Sequence, residues 1–239
     1  MPSVPSSTLR GPRLVRQLAG LAGTAADAPA QPLSQLLSHW LEWKHAVALV
    51  RVLDAPQGQD AGPAPGHRTV PAAAAALADA RVSLAQALAR DRAFAAGPDG
   101  PRPPLEWTWF QQRHMALQHL IESGAANLRQ DLRQRLAGQS PALARLAAID
   151  AVMEQALARP TRTLLARATP VLEHHFHCLQ RAALDARADG PDAPSWLDGF
   201  RHDMRELLLA ELDLRLQPAE GLLAAFGPVP LDPHATQSS

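Results

Sequence analysis

The sequence of 239 residues is poor in several kinds of residue, and each shortage excludes a class of protein. Cysteine occurs once, as Cys178, which rules out an intrachain disulfide and fits a reducing compartment. No run approaches the roughly 20 consecutive apolar residues that a membrane-spanning helix needs. The formal net charge is zero, so the chain lacks the long-range positive field that attracts nucleic acid or an anionic membrane. We therefore expect a cytoplasmic protein with no membrane span and no nucleic-acid partner.

Aromatic residues and lysine are also scarce. Aromatic residues make up 4% of the chain, tyrosine is absent, and Lys44 is the only lysine, so arginine supplies every other positive side chain. Alanine, arginine and proline are enriched together, as codon usage in a GC-rich genome imposes. For that reason we do not interpret an arginine as a ligand-binding residue on its type alone.

Apolar residues at helical spacing are abundant, and the stretch 195–226 is the clearest organising element. Phe200, Met204 and Leu207 recur on one helix face, and the run from Leu207 to Leu209 makes one turn apolar on every side. A turn of this kind must be buried among neighbouring helices. Ser195 is predicted to cap this central helix at its start.

The same stretch carries two further predictions. Glu211 and Arg215 stand four residues apart and are predicted to form an ion pair on the outer face of the helix. Pro218 is predicted to break the helix, so that residues 219–226 fold back as a short separate piece.

A second long helix is predicted over 105–137 from a heptad-like ladder of apolar residues. The ladder consists of Phe110, Leu117, Ile121, Leu128, Leu132 and Leu136. Gly124 interrupts the ladder, so it either kinks the helix or admits a close neighbour. Gly138 is predicted to end this helix, and Ser140 with Pro141 to cap and start the next, which gives an antiparallel hairpin. Pro160 is predicted to end that next helix.

Proline and glycine clusters divide the chain, and no segment shows the alternation of a strand. We predict an all-α fold, a multi-helix bundle of about seven helices with antiparallel helical hairpins. The predicted segments are 1–55 (amphipathic helices, one of them over 32–53), 56–68 (flexible linker), 69–96 (alanine-rich helix), 97–104 (Pro/Gly linker), 105–228 (C-terminal helical bundle) and 229–239 (tail).

One local cluster has the side chains of a metal site. His174, His177 and Cys178 lie at positions i, i+3 and i+4 of a helix, hence on one face, and their donor atoms suit zinc or copper. No second ligand pair has matching spacing, so a polar helix face is the competing interpretation. We expect no cofactor and keep a zinc or copper site on this face as the alternative.

Two other groups are candidates for function. Asp150 and Glu154 are carboxylates four residues apart, suited to acid–base chemistry or to the edge of the core beside arginines such as Arg145. Arginines 129, 133 and 135 are interpreted as a solvated face rather than a phosphate grip. The N-terminal amphipathic helix is predicted to bind a protein partner through its apolar face, formed by Leu14, Leu18 and Leu21. Glycine-rich phosphate loops, a nucleophile elbow and paired Cys or Cys/His motifs are absent from the sequence.

Four stretches resemble an uncharacterised bacterial family, a domain of unknown function of about this length. They are 140–156 (SPALARLAAIDAVMEQA), 207–226 (LLLAELDLRLQPAEGLLAAF), 14–22 (LVRQLAGLA) and 40–43 (WLEW). The resemblance spans most of the chain and implies an all-helical fold with no known activity. It also points to a partner in a cell-envelope complex, because genes of such proteins tend to neighbour genes for envelope proteins with a peptidoglycan-binding domain.

Together these observations favour an interaction or scaffold protein over an enzyme. The preferred interpretation is a non-enzymatic helical module with a protein partner, and homo-oligomerisation stays open. The alternative is a metal-binding protein or small helical enzyme centred on His174, His177 and Cys178.

Overall fold

The computed structural model describes residues 13–23, 40–54, 69–94, 106–187 and 196–226, and every regular element within these ranges is a helix. In chain order the helices are α1 (Arg13–Leu21), α2 (Trp43–Asp54), α3 (Thr69–Ala89), α4 (Trp107–Ala137), α5 (Pro141–Leu165), α6 (Ala168–Arg187) and α7 (Trp196–Ala224). The prediction of an all-α bundle of about seven helices is confirmed. The predicted cap Ser195, the two linkers and the tail lie outside the described residues.

Helix α7 is the centre of the bundle, as its apolar pattern predicts. It packs against α1, α3, α4 and α6. Leu207 and Leu208 are fully buried, and Leu209 is half-buried against the same core. The turn that is apolar on every side thus lies among neighbouring helices, because exposing it to water on any side would cost free energy.

Phenylalanines from three different helices meet at one end of this core. Phe110 of α4, Phe176 of α6 and Phe200 of α7 are buried, with ring centroids 5.0 to 5.7 Å apart. Trp107 packs on Phe176 at 5.9 Å and on Phe200 at 6.4 Å. These tilted and edge-on arrangements are the ones that aromatic pairs prefer, so the few aromatic residues of the chain stabilise the junction of α4, α6 and α7.

The hairpin of α4 and α5 is built by the residues that predict it. Gly138 ends α4, and the Ser140 hydroxyl accepts a hydrogen bond from the Leu143 N–H at 3.2 Å, one residue before α5 begins at Pro141. The two helices then run back against each other.

Gly124 lies inside the continuous helix α4, where it admits a neighbour. A Cβ atom at this position would lie 2.8 Å from Leu84 Cδ2 of α3, closer than carbon atoms pack. The absence of a side chain therefore allows α3 to approach α4 closely.

Two predicted helix ends are wrong, because both prolines lie inside helices. Helix α5 continues through Pro160 to Leu165, and α7 continues through Pro218 to Ala224. Around Pro218, the side chains of Leu216, Ala219 and Leu222 are buried, so tertiary packing outweighs the lost backbone hydrogen bond.

The N-terminal part of the chain differs from its predicted form as well. The predicted helix over 32–53 is interrupted at Leu41 and Glu42, which are not helical, and α2 begins at Trp43; residues 32–39 lie outside the described residues. Helix α2 packs mainly on α5 and contributes no residue to the core around α7. None of the helices described in this structure is long and apolar enough to cross a membrane.

Candidate functional site

The three predicted metal ligands lie on the exposed face of α6, and two of them are in contact. Cys178 Sγ lies 3.4 Å from His174 Nε2, while the ring of His177 packs edge-on against Phe176. Across the described ranges, no group of three or more His, Cys, Asp or Glu side chains is placed to hold a metal ion. The zinc or copper site stays a prediction, with His174 and Cys178 as an adjacent pair.

A histidine–carboxylate pair that the sequence analysis did not identify joins α6 to α7. His175 Nε2 and Asp203 Oδ2 lie 2.8 Å apart, and the imidazole also packs against Phe200. A nucleophilic dyad would need a hydroxyl or thiol group hydrogen-bonded to the imidazole. The nearby thiol of Cys178 contacts His174 instead, so the His175–Asp203 pair serves as a link between two helices.

Asp150 and Glu154 hold α5 against α4 through two arginines of α4. Arg129 donates to both carboxylate oxygens of Asp150, at 2.8 and 2.7 Å, and Arg133 donates to Glu154 at 2.7 Å. The interpretation of Arg129 and Arg133 as a solvated face is wrong, because both are largely buried in this pairing. The predicted neighbour Arg145 instead donates to the Leu53 carbonyl of α2. With both carboxylates ion-paired, this cluster offers no free general base.

Glu211 and Arg215 do pair, at 2.8 Å, but their predicted position on the outer face is wrong. Glu211 is only 1% exposed and accepts a second hydrogen bond from Gln118 of α4 at 2.8 Å. Burying this carboxylate is tolerable because both of its oxygens have donors. Helix α7 is therefore covered on the side predicted to face water.

The apolar face of α1 is occupied by the chain's own helices. Leu14 is buried, and Leu18 and Leu21 are half-buried against the core. Arg13 adds ion pairs to Glu206 at 2.6 Å and Asp213 at 3.0 Å, both on α7. Partner binding through these three leucines stays a prediction.

Unlike α1, whose apolar face packs on the core, helix α2 exposes large apolar side chains to solvent. Trp43 is 83% exposed, Val50 54% and Leu53 47%. Trp43 and Val50 stand seven residues apart, hence on one face of the helix. We call Trp43, Val50 and Leu53 the α2 stripe.

A cleft of about 660 Å³ lies between the start of α2 and the C-terminal half of α5, and we call it the α2–α5 cleft. Trp40, Lys44 and His45 line it from one side, and Arg159 and Arg162 from the other.

Pro160, the internal proline of α5, lines the α2–α5 cleft. Pro160 has no N–H to offer the carbonyl of Ala156, and both residues line the cleft. Nearby, the Thr163 hydroxyl and Arg162 Nε donate to backbone carbonyls four residues earlier, at 3.1 and 3.3 Å. A polar helix surface therefore faces the cleft where the proline interrupts the backbone ladder.

His45 is fixed in one orientation by the start of α2. Its Nδ1 accepts a hydrogen bond from the Glu42 N–H at 3.3 Å, and the Glu42 carbonyl accepts in turn from the His45 N–H at 2.9 Å. The bond to the His45 side chain is one half of a capping box, and the second bond is an ordinary backbone bond of the first helical turn. Because Nδ1 accepts, the proton of the neutral imidazole is on Nε2, which is a donor.

The charged residues that line the cleft differ in whether they are ion-paired. Lys44 and Glu42 form an ion pair at 2.8 Å, and the hydrogen bond from Lys44 lowers the pKa of the Glu42 carboxyl. Arg159 and Arg162 form no ion pair with a described carboxylate, unlike the arginines between α4 and α5, although the charge of Arg159 makes a smaller contribution to lowering the Glu42 pKa.

Sequence reasoning missed this region, although two signals mark it. Lys44 is the only lysine of the chain, and Trp40 and Trp43 are two of its five tryptophans within four positions. A tryptophan pair beside the single lysine is unusual in so alanine-rich a chain. The partners on α5 are more than a hundred residues away, and their position depends on the tertiary fold.

The fold and these sites together define the class: an all-α helical-bundle protein. A family model described as "Protein of unknown function (DUF3348)" matches residues 1–228, and the chain belongs to this family. The predicted resemblance to a helical family of unknown function is thereby confirmed. No curated protein and no solved structure matches the chain.

Proposed function

We propose that this protein is a non-enzymatic helical interaction module that binds a protein partner through the α2 stripe. The observation that carries the proposal is the exposure of Trp43, Val50 and Leu53 on one helix at the edge of the bundle. Tryptophan is enriched among residues that dominate binding energy, and large apolar side chains repeated along one helix face are typical of a docking surface.

Charged residues beside the stripe define the chemistry of the partner. Lys44 and Arg51 each follow a stripe residue and stand seven residues apart, so they form a basic border along one side. The occupant that fits is an amphipathic helix of another protein, with apolar residues facing the stripe and carboxylates facing this border.

The setting of the interaction is part of the same proposal. We place the module in the cytoplasm because a single cysteine fits a reducing compartment. The family resemblance favours a partner that belongs to a cell-envelope complex. The rival function, metal binding or enzymatic chemistry at His174, His177 and Cys178, is supported by the single His174–Cys178 contact.

Site-specific photocrosslinking tests the proposal in the native host. A photoreactive phenylalanine analogue replaces Trp43 in one strain and Leu184, an exposed leucine of α6, in the control strain. We expect a discrete adduct from position 43 only, and mass spectrometry identifies the partner.

Binding of that purified partner is then measured by calorimetry. We expect Trp43→Ala to weaken binding at least about tenfold without changing the melting temperature, and Leu184→Ala to change neither. Adducts formed equally at both positions, or unchanged binding by Trp43→Ala, would refute the proposal. Adducts only to a second copy of this chain would replace the proposed partner by self-association.

A further inference from the structure

We propose that the α2–α5 cleft binds an oxyanion, the phosphate or carboxylate group of a small molecule that also has an apolar part. Trp43, Val50 and Leu53 of the α2 stripe lie outside this cleft, although Lys44 belongs both to the cleft wall and to the basic border of the stripe.

The first argument is an unpaired donor that is held in place. His45 is 7% exposed, so more than nine-tenths of it is buried, and it lines the cleft. Its Nδ1 is engaged by the Glu42 N–H, whereas its Nε2 has no hydrogen-bond partner among the described residues. Unlike the ring nitrogens of His114, His45 Nε2 is not fully enclosed by the described residues, so an acceptor that enters the cleft can reach it and take its hydrogen bond. Since the neutral tautomer already donates, His45 needs no second proton for this role.

The second argument is the charge around this donor. Of the described residues that line the cleft, Lys44, Arg159 and Arg162 are positive and Glu42 is the single carboxylate. Glu42 is already bonded to Lys44, so its repulsion toward an anion is reduced. In a chain with zero net charge, the cleft therefore has an excess of positive side chains. Guanidinium groups bind phosphates and carboxylates through paired, charge-assisted hydrogen bonds.

The third argument is the start of helix α2 in the cleft wall. The backbone N–H groups of Trp43 and Lys44 belong to the first turn, where no helical carbonyl is available to them. The helix dipole adds a partial positive charge at the same place. His45, the arginines and the helix start thus all favour a negatively charged acceptor.

The size and walls of the cleft define the rest of the ligand. A volume of about 660 Å³ falls in the range of small-molecule pockets and exceeds what an isolated phosphate fills. Trp40, Ala158 and Leu164 supply apolar surface beside the polar groups. The ligand class is therefore a small molecule with an anionic head and an apolar or aromatic body.

The experiment titrates the full-length protein with four probes and follows tryptophan fluorescence and calorimetric heat. Phenyl phosphate and benzoate carry a ring, whereas inorganic phosphate and acetate are their ring-free counterparts. We expect saturable one-to-one binding of a ring-bearing probe, at least about tenfold tighter than its ring-free counterpart. If phenyl phosphate binds more tightly than benzoate, the natural ligand is a phosphate ester; the reverse order assigns a carboxylate.

Variants locate the binding site. His45→Glu keeps an acceptor for the Glu42 N–H but removes the donor and adds a negative charge, so we expect no binding, and far-UV circular dichroism checks that the variant is folded. Arg159→Gln combined with Arg162→Gln should weaken binding at least about tenfold. Arg181→Gln changes an exposed arginine on α6 and should have no effect. The fluorescence change should disappear in Trp40→Phe and persist in Trp43→Phe.

Three results would overturn the proposal. One is the absence of saturation by any probe below about 10 mM. Another is binding that His45→Glu and the double arginine variant leave unchanged, and the third is binding lost equally in Arg181→Gln. Equal affinities of the ring-bearing and ring-free probes would overturn the apolar part of the ligand.

Discussion

Helices α7 and α2 use apolar side chains in opposite ways. In α7 the large apolar residues, among them Phe200, Met204 and Leu208, are buried between neighbours on several sides. In α2 only His45 is buried, while Trp43 and Val50 face solvent. Burial of the α7 residues stabilises the bundle, whereas the exposed residues of α2 add little to folding. Function that depends on a ligand or partner is therefore expected at the α2 edge.

Charged residues follow the same division. Where α4 meets α5 and α7, buried or half-buried charges are paired, as in Arg129 with Asp150 and Arg215 with Glu211. In the α2–α5 cleft, Arg159 and Arg162 have no carboxylate partner in the described part of the chain. A paired charge stabilises a helix contact, while an unpaired one beside a cleft remains available to a ligand.

The largest expected difference between the two regions concerns stability. Leu208→Ala should lower the free energy of unfolding by about 2–5 kcal/mol, because it leaves a cavity in a fully buried site. Val50→Ala should lower it by less than about 0.5 kcal/mol, since Val50 is half-exposed on α2. Urea denaturation followed by circular dichroism measures both. Similar losses for the two variants would show that α2 is as much a part of the core as α7.

A second prediction concerns His114, a fully buried histidine of α4 whose two ring nitrogens have no hydrogen-bond partner within the described ranges. Desolvation lowers its pKa from 6.5 to about 4. The unfolded chain therefore takes up this proton below about pH 6.5, while the folded protein takes it up only near pH 4. Stability should fall as pH decreases through this window, by about 3 kcal/mol from this residue.

The matched variants isolate that contribution. His114→Leu should remove this part of the pH dependence, and His119→Gln, at an exposed position of the same helix, should retain it. Chemical denaturation at several pH values between 4 and 7 gives the comparison. If His114→Leu has the same pH dependence as the parent protein, the acid sensitivity arises elsewhere.

The third prediction compares a half-buried ion pair with an exposed one. Asp150→Asn should lower the free energy of unfolding by about 2 kcal/mol. The reason is that Arg129 loses the charge of its bidentate partner in a contact that is largely shielded from water. Asp131→Asn breaks the exposed pair with Arg135 on the same helix and should cost less than about 0.5 kcal/mol. Thermal unfolding at low and high salt measures the stability loss of each variant. Equal losses for the two variants would mean that the α4–α5 pairing is no stronger than a surface contact.

Local patterns predicted the bundle well where one physical requirement dominates. The apolar ladder of α4 and the turn at Leu207 and Leu208 required burial, and the structure buries them. Ser140 before Pro141 is a cap because its hydroxyl reaches a backbone N–H three residues ahead, a geometry that needs no tertiary contact.

Prediction failed where tertiary packing outweighed a local preference. Pro160 and Pro218 should end helices, but neighbouring helices hold the chain on both sides of each proline. Glu211 looks like a surface residue until Gln118, ninety-three positions earlier, donates to it. The α2–α5 cleft was missed for the same reason, since Lys44 and Arg159 come together only in the folded chain.

The smallest expected effect is that of metal on α6, and it tests whether function belongs to the α2 edge at all. Protein purified without a histidine tag should contain less than about one equivalent of zinc, copper or iron, because His174 and Cys178 form a two-ligand pair whereas zinc sites have three or four protein ligands. Elemental analysis by mass spectrometry measures the content, and zinc titration of the parent protein and of His174→Ala with His177→Ala measures the affinity. Exposed imidazoles bind zinc weakly, so a small loss of affinity in the double variant is compatible with this expectation. One tightly bound equivalent that disappears in the double variant would make α6 a functional surface and support the rival metal-binding function.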